Sequence, residues 1–230
     1  INDVCVYGVI PQELIDMIRA DYDISYMREE DREIFRQGTV DFLGINAYYR
    51  ILVKPYTQGE TCFKKNNTGD GSKHKDVVKH WFELDDDPST VKSSWGVEVY
   101  PKSVYDLLMR LKELYPHTPI IITENGIGYD DVLKDNTVED DYRIDYCQGF
   151  IKWIYEAMKE GCNVLGYMIW STFDLYSWVN GYRKRYGLVY IDFENDKHYP
   201  KKSYYWYRDY IETNKEAYDR LVAINQDVSS

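Results

Sequence analysis

Basic residues are scarce beside acidic ones in this chain. Twenty-eight lysines and arginines face 39 aspartates and glutamates in 230 residues, a formal net charge of -11. That deficit disfavours nucleic acid or an anionic membrane as partner, because phosphate groups would be repelled, and leaves open only a local basic pocket. Cysteine is sparse and unpatterned: Cys5, Cys62, Cys147 and Cys162 follow neither disulfide nor C-x-x-C spacing, which reads as reduced thiols in a cytosol. Cys62, His74 and His80 match no zinc signature and lie in a Lys-, Gly- and Asn-rich stretch, so no metal is expected. No signal peptide and no apolar run of membrane length is visible. The expectation is a soluble, cytoplasmic protein in which the Asn66-Asn67-Thr68 sequon has no meaning.

What is abundant is aromatic. Phe, Trp and Tyr make up 16% of the residues, with 24 Tyr and 6 Trp. Such rings fill cores, and they also serve carbohydrate sites as apolar platforms beside hydrogen-bonding groups. With 44% hydrophobic residues the chain has material for a sizeable core.

Residues 1–40 read as helical: PQELIDMIR (Pro11 to Arg19) sets Leu14, Ile15 and Ile18 on one face, and REEDREIFRQ (Arg28 to Gln37) ends at Gly38. VDFLGINAYY (Val40 to Tyr49) is a strand that ends in Asn46, Tyr48 and Tyr49. From Thr57 to Ser94 neither period is established, and the composition predicts a solvated surface insertion. PKSVYDLLMRLKELY (Pro101 to Tyr115) is an amphipathic helix with Val104, Leu107, Leu108, Leu111 and Leu114 at helical spacing. Ile120, Ile121 and Ile122 then form a buried strand that runs into Thr123-Glu124-Asn125-Gly126. A helix over Glu139 to Lys159, capped by Gly161, precedes a third apolar strand from Val164 to Trp170, and Ser203 to Glu212 closes the chain as a helix.

Strand and helix alternate, which predicts an α/β fold with a parallel sheet, and each strand ends in polar residues. In (β/α)8 barrels the active site occupies the C-terminal strand ends. Three strands cannot close a barrel that takes eight strands and about 250 residues. The expectation is therefore one incomplete domain over residues 1–230, with about three βα units of a longer protein and residues 57–94 as an insertion.

The residues at those strand ends permit definite chemistry. Glu124, where a buried strand opens, suits a nucleophile, general base or metal ligand; a loop-capping glutamate is an equal alternative. Tyr48 and Asn46 nearby favour catalysis, since a hydroxyl or amide donor holds a carboxylate ionised and oriented. Trp170 and Trp178 are each either core residues or sugar platforms. Ser177, Lys184 and Tyr186 bring a hydroxyl, a cation and a phenol to one loop, as a phosphate monoester would need, or else belong to a solvated Arg-Lys-Arg run.

Three ordered motifs decide among these. Asp41 to Asn46 (DFLGIN) with Tyr48, Ile122 to Gly126 (ITENG), and Gly166-Tyr167-x-x-Trp170-Ser171 with Asp174, Trp178, Gly181-Tyr182 and Arg185 to Leu188 resemble glycoside hydrolase family 1, the retaining β-glycosidases. Trp95 to Pro101 (WGVEVYP) is similar to a further motif of that family. The resemblance implies a (β/α)8 barrel without cofactor or metal, with Glu124 as the nucleophile, Tyr48 as the tyrosine that orients it, and Asn46, Trp170 and Trp178 at the sugar. Ala47 departs from the aromatic residue more usual there. At Ser177 the members that act on unphosphorylated sugars usually carry Glu. Ser177, Lys184 and Tyr186 instead resemble the phosphate-binding loop of the 6-phospho-β-glycosidases, nearest to the 6-phospho-β-galactosidases through SWxNGYxKRYGLxYxDF and YPKKSxxWY.

The implied reaction is retaining hydrolysis of 6-phospho-β-glucosides or 6-phospho-β-galactosides delivered by a sugar phosphotransferase system. The family's acid/base lies in an Asn-Glu motif on an earlier strand, and none precedes Asp41. The expected partners are therefore the substrate and an N-terminal part of the barrel, or a second copy, and the chain alone is expected to be inactive. A β-glucosidase acting on unphosphorylated sugars and a non-catalytic sugar-phosphate-binding fragment are the alternatives.

Overall fold

Three short helices lead the chain: α1 (Asn2–Tyr7), α2 (Gln12–Asp21) and α3 (Asp31–Gln37). Pro11 sits at the N-cap of α2, and Gly38 ends α3 with its N–H on the carbonyls of Ile34 and Phe35. The computed structural model describes residues 2–28, 30–62, 76–178 and 180–227, with side chains through residue 214. Tyr115 donates to Asp3 Oδ1 at 2.9 Å and Tyr7 to the Leu114 carbonyl at 2.5 Å, which ties α1 to the helix before the second core strand.

Strand β1 (Leu43–Asn46) is followed by β2 (Val53–Pro55), β3 (Val77–Val78) and β4 (Phe82–Leu84). The last three form an antiparallel sheet in the order β2-β4-β3. The insertion is thus partly ordered, contrary to the reading of a plain solvated loop. Its strands are two or three residues long, too short to establish a period of two. Residues 63–75, which contain His74 and the Asn66-Asn67-Thr68 sequon, lie outside the described residues.

Helix α4 (Lys102–Leu114), strand β5 (Ile120–Asn125), helix α5 (Asp141–Lys159) and strand β6 (Val164–Ile169) complete the central layer. The sheet order is β1-β5-β6, all parallel. Leu43, Ile120 and Ile122 pack against Val104, Leu108 and Leu111 of α4 and Phe150, Ile154 and Ala157 of α5. Each such side chain contributes about 1.5–3 kcal/mol of burial. The buried stripe of α4 is narrower than the spacing predicts, since Leu107 and Leu114 remain exposed at its margins. Helix α5 ends in a Schellman motif: Gly161, at φ 88°, donates to Met158 O, and Cys162 N donates to Ala157 O.

A two-stranded hairpin, β7 (Val189–Asp192) and β8 (Lys197–Pro200), follows the third core strand, and α6 (Lys202–Asp227) runs well past the predicted Glu212. The fold is the expected α/β arrangement of three parallel strands with covering helices. No helix among the described residues is long and apolar enough to cross a membrane.

Candidate active site

Glu124 owes its position to an irregularity in β5. Strict alternation would put Ile120, Ile122 and Glu124 on one face. The register shows otherwise. Against β1, Ile45 pairs with Ile122 and Asn46 with Glu124; against β6, Ile122 pairs with Tyr167 and Asn125 with Ile169. Both neighbours therefore count one extra residue in β5 around Thr123 and Glu124, the signature of a bulge, which re-aims a side chain. Asn125 takes the buried position that Glu124 would have held, and Glu124 is freed to face the strand ends.

Asn125 is 0% exposed and fully used. Its Nδ2 donates to the Ala47 carbonyl at 2.5 Å, and its Oδ1 accepts from the Tyr167 hydroxyl at 2.7 Å. Tyr146, on α5, donates to the Tyr48 carbonyl at 2.7 Å. These contacts fix the Ala47-Tyr48 segment from below. The Tyr48 hydroxyl then donates to Glu124 Oε2 at 2.6 Å. Burial, and next the hydrogen bond to Glu124, push the Tyr48 phenol well above its ordinary pKa, so it remains a donor. Asn46 is exposed and accepts from the Thr123 hydroxyl at 2.8 Å.

The next shelf begins at Gly126, where an added Cβ would lie 2.0 Å from the Trp170 carbonyl, a backbone approach only glycine permits. Trp170 N donates to Asn125 O, Ser171 N to Tyr186 O, and the Trp170–Ser171 peptide is cis. Strand β5, the end of β6 and the loop carrying Lys184 and Tyr186 are thus hydrogen-bonded in succession. Trp170 is partly exposed, while Trp178, at the tip of the Ser177–Gly181 turn, is 97% exposed, with its indole open to a ligand.

Ser177 and Tyr186 are joined by Asn180, whose N–H donates to Ser177 Oγ at 3.3 Å and whose Nδ2 donates to the Tyr186 hydroxyl at 2.9 Å. Lys184 is only 4% exposed, with its ammonium 5.1 Å from the Trp95 ring and 5.6 Å from that of Tyr186. Burial lowers its pKa to about 8, against a smaller opposing effect of Asp130. A buried cation among aromatic faces, on the loop that carries the Ser177 and Tyr186 hydroxyls, has the chemistry to pair with an anion.

Sequence reasoning overlooked what braces this loop. Lys201 Nζ bonds Asp131 Oδ2 at 2.6 Å and Asp174 Oδ1 at 2.9 Å. Asp174 also accepts from Gly187 N at 2.9 Å, and Arg143 pairs with Asp131 and Asp140 while donating to the carbonyls of Ile127 and Tyr186. Lys201 and Asp174 belong to quoted motifs, but their pairing across 27 residues carries no local signal. Among the described residues no cluster of three or more His, Cys, Asp or Glu is placed to hold a metal ion. Cys62 pairs with Val77 in an isolated bridge, and the His80 ring packs edge-on to Tyr56.

The chain and its fold match known proteins. Curated relatives include a 6-phospho-beta-galactosidase of Leptotrichia buccalis, 45% identical over 192 residues, or 82% of this chain and 41% of the relative. A 6-phospho-beta-galactosidase of Staphylococcus aureus is 46% identical over 182 residues, 76% of this chain and 38% of the relative. The chain thus spans about two fifths of the length of the curated relatives it matches. Among solved structures, a beta-glucosidase from Exiguobacterium marinum superposes with TM-score 0.76 at 30% identity, covering 93% of this chain and 44% of that one. A family 1 beta-glucosidase from Thermotoga maritima gives 0.73 at 30%, covering 92% and 43%. The three βα units are part of a TIM barrel. The profile of glycosyl hydrolase family 1 matches residues 1–216, and the chain belongs to that family.

Proposed function

We propose that this chain carries the nucleophile and the phosphate-binding loop of a cytoplasmic enzyme that hydrolyses 6-phospho-β-glucosides or 6-phospho-β-galactosides with retention. Glu124 attacks the anomeric carbon to give a glycosyl-enzyme, and Tyr48 orients the carboxylate. Asn46, Trp170 and Trp178 hold the sugar, while Ser177, Lys184 and Tyr186 take its phosphate. Retention requires a second carboxyl group about 5–5.5 Å from the nucleophile, acting first as acid and then as base. No Asn-Glu motif of that kind precedes Asp41 in this sequence. We assign the acid/base to a part of the barrel not represented in these residues.

The observation that carries the substrate reading is Lys184. Its buried ammonium forms no hydrogen bond or ion pair among the described residues, and a hydroxyl, rather than a carboxylate, stands at position 177. The relatives' names support the same substrate class. The test compares kcat/KM on aryl 6-phospho-β-galactosides, aryl 6-phospho-β-glucosides and their unphosphorylated counterparts in the full-length protein. A preference for phosphate that Lys184→Ala abolishes is the expected result. Equal rates on both classes, or a preference that survives the substitution, would overturn it. The 230-residue chain by itself is expected to give no turnover of these substrates, and measurable steady-state release of the aglycone would contradict the assignment of the acid/base.

A further inference from the structure

Lys184 has a carboxylate in its neighbourhood as well as aromatic rings. The segment after β5 pairs with the phosphate loop through one antiparallel bridge: Tyr129 N donates to Arg185 O at 2.9 Å, and Arg185 N to Tyr129 O at 2.8 Å. Antiparallel pairing about Tyr129 and Arg185 sets Asp130 opposite Lys184 and Gly128 opposite Tyr186, with both pairs on one side of the ribbon. The space around Gly128 agrees: a Cβ added there would lie 2.6 Å from Tyr186 Cε1 and 2.7 Å from Lys184 Cε. Asp130 is exposed, with the Ser94 hydroxyl 3.5 Å from its Oδ2.

Of the arginines beside Lys184, Arg185 is engaged elsewhere and Arg183 shares the Trp95 ring with it. Arg185 turns its guanidinium to Asp174, the Ile191 carbonyl and the Tyr190 ring. Arg183 lies over Trp95, 5.2 Å from the ring centroid, and Tyr186 is bonded to Asn180. Asp130 is accordingly the carboxylate that bears on the Lys184 ammonium, consistent with its effect in holding that group protonated.

Taking Lys184 as the cation of the phosphate site, as proposed above, we propose that Asp130 is a specificity-determining residue of that site. Its carboxylate is an internal anion that shares Lys184 with the substrate's phosphate. It keeps the ammonium charged in the empty pocket, and it opposes a second, dianionic group on the same cation. The pocket then admits a phosphomonoester more weakly than Lys184, Ser177 and Tyr186 alone would hold it, which eases release of a 6-phosphorylated product. Gly128 leaves the room in which the two anions and the lysine are accommodated.

The test is calorimetric titration of the full-length protein with galactose 6-phosphate and with galactose, at about pH 7 and about pH 9. Asp130→Asn is expected to tighten galactose 6-phosphate at pH 7 by about three- to tenfold, the size of one unit charge several ångströms away in a solvent-facing site. Galactose is unaffected, and the gain shrinks in high salt. It also shrinks at pH 9, because Lys184 without its carboxylate neighbour loses its proton at lower pH. That convergence of the pH profiles is not something a merely structural residue would produce.

Unchanged or weaker phosphate binding in Asp130→Asn at pH 7, in a protein where Lys184→Ala does weaken it, overturns the role of Asp130 and leaves the phosphate site standing. Phosphate binding that Lys184→Ala does not change overturns both.

Discussion

The phenol of Tyr48 donates to Oε2 of Glu124 across 2.6 Å, joining the segment after β1 to the bulge in β5. The donor is held by its own backbone, since the Tyr48 carbonyl accepts from Tyr146 and the Ala47 carbonyl from Asn125. A fixed donor of this kind directs one carboxylate oxygen, and in the proposed reaction the other attacks. Tyr48→Phe in the full-length protein is expected to lower kcat by about two orders of magnitude, as loss of one preorganised donor typically does. KM and the thermal midpoint should change little. A fall in kcat that a parallel loss of stability explains would mean that the hydrogen bond is structural.

Asn125 tests the layer beneath. Its amide satisfies the Ala47 carbonyl and the Tyr167 hydroxyl in a region closed to water. Asn125→Leu has a similar volume but leaves the Ala47 carbonyl without its partner and the Tyr167 hydroxyl with only the Cys147 thiol. Each buried, unsatisfied group costs about 1–3 kcal/mol, so a loss of about 2–5 kcal/mol in denaturant unfolding is expected. A loss under about 1 kcal/mol would show that water reaches these groups.

These two residues also mark where local pattern stops being informative. Ile120, Ile121 and Ile122 announce a buried strand because apolar side chains on both faces suit only a covered sheet, and the polar residues after them place the site at its end. Periodicity then sends Glu124 inward with Ile122, and only pairing with β1 and β6 reveals the extra residue that reverses this. Such register belongs to two strands at once and has no signature in either. The same holds for Lys201, Asp131 and Arg143, which meet across separations that carry no local period. The hairpin β7-β8 was legible in principle, since Val189 and Ile191 are buried and alternate with Tyr190 and Asp192. The polar, aromatic loop before it carries no strand period, so the start of the hairpin has no local mark. Asn180, which links Ser177 and Tyr186, was quoted as a motif residue, but its bridging role depends on the turn that Gly181 closes at φ 60°.

Lys201 is the keystone of the buried charges. It is 0% exposed, and its ammonium lies between Asp131 and Asp174, of which Asp174 also receives the Gly187 N–H of the loop that carries Lys184. Removing the cation breaks a buried pair at each carboxylate and leaves Asp131 with Arg143 and Asp174 with Arg185, and breaking a buried pair typically costs about 3–5 kcal/mol. Lys201→Met is expected to lower stability by that amount. Because the two residues share one network, combining Lys201→Met with Asp174→Asn should be less damaging than the sum of the single changes. Additive losses, measured by urea unfolding of all three variants, would indicate that the ion pair does not couple them.

The pH dependence of phosphate binding follows from Lys184. Burial brings its pKa down to about 8 from an ordinary 10.5. Below about pH 8 the lysine is charged in the empty site, and a phosphate monoester becomes dianionic above a second pKa of about 6. Affinity for a 6-phosphosugar is therefore greatest between those values. Above pH 8 binding must first protonate the lysine, so affinity falls toward a limiting slope of about tenfold per pH unit, with one proton taken up per ligand. Lys184→Arg, charged throughout, should flatten the alkaline limb.

Stability moves the opposite way. Between about pH 8 and 10.5 the unfolded chain binds the proton that the folded chain has released, so the contribution of Lys184 to stability rises with pH across that window. It is unfavourable and constant below pH 8. The difference in unfolding free energy between the wild type and Lys184→Met should therefore shift in favour of the wild type from pH 7.5 to 9.5 in ligand-free protein. Saturating galactose 6-phosphate should suppress that shift, because the bound phosphate keeps the lysine protonated. A difference that is flat with pH in the free protein, or proton uptake equal at pH 7 and pH 9, would show that Lys184 titrates as an ordinary exposed lysine.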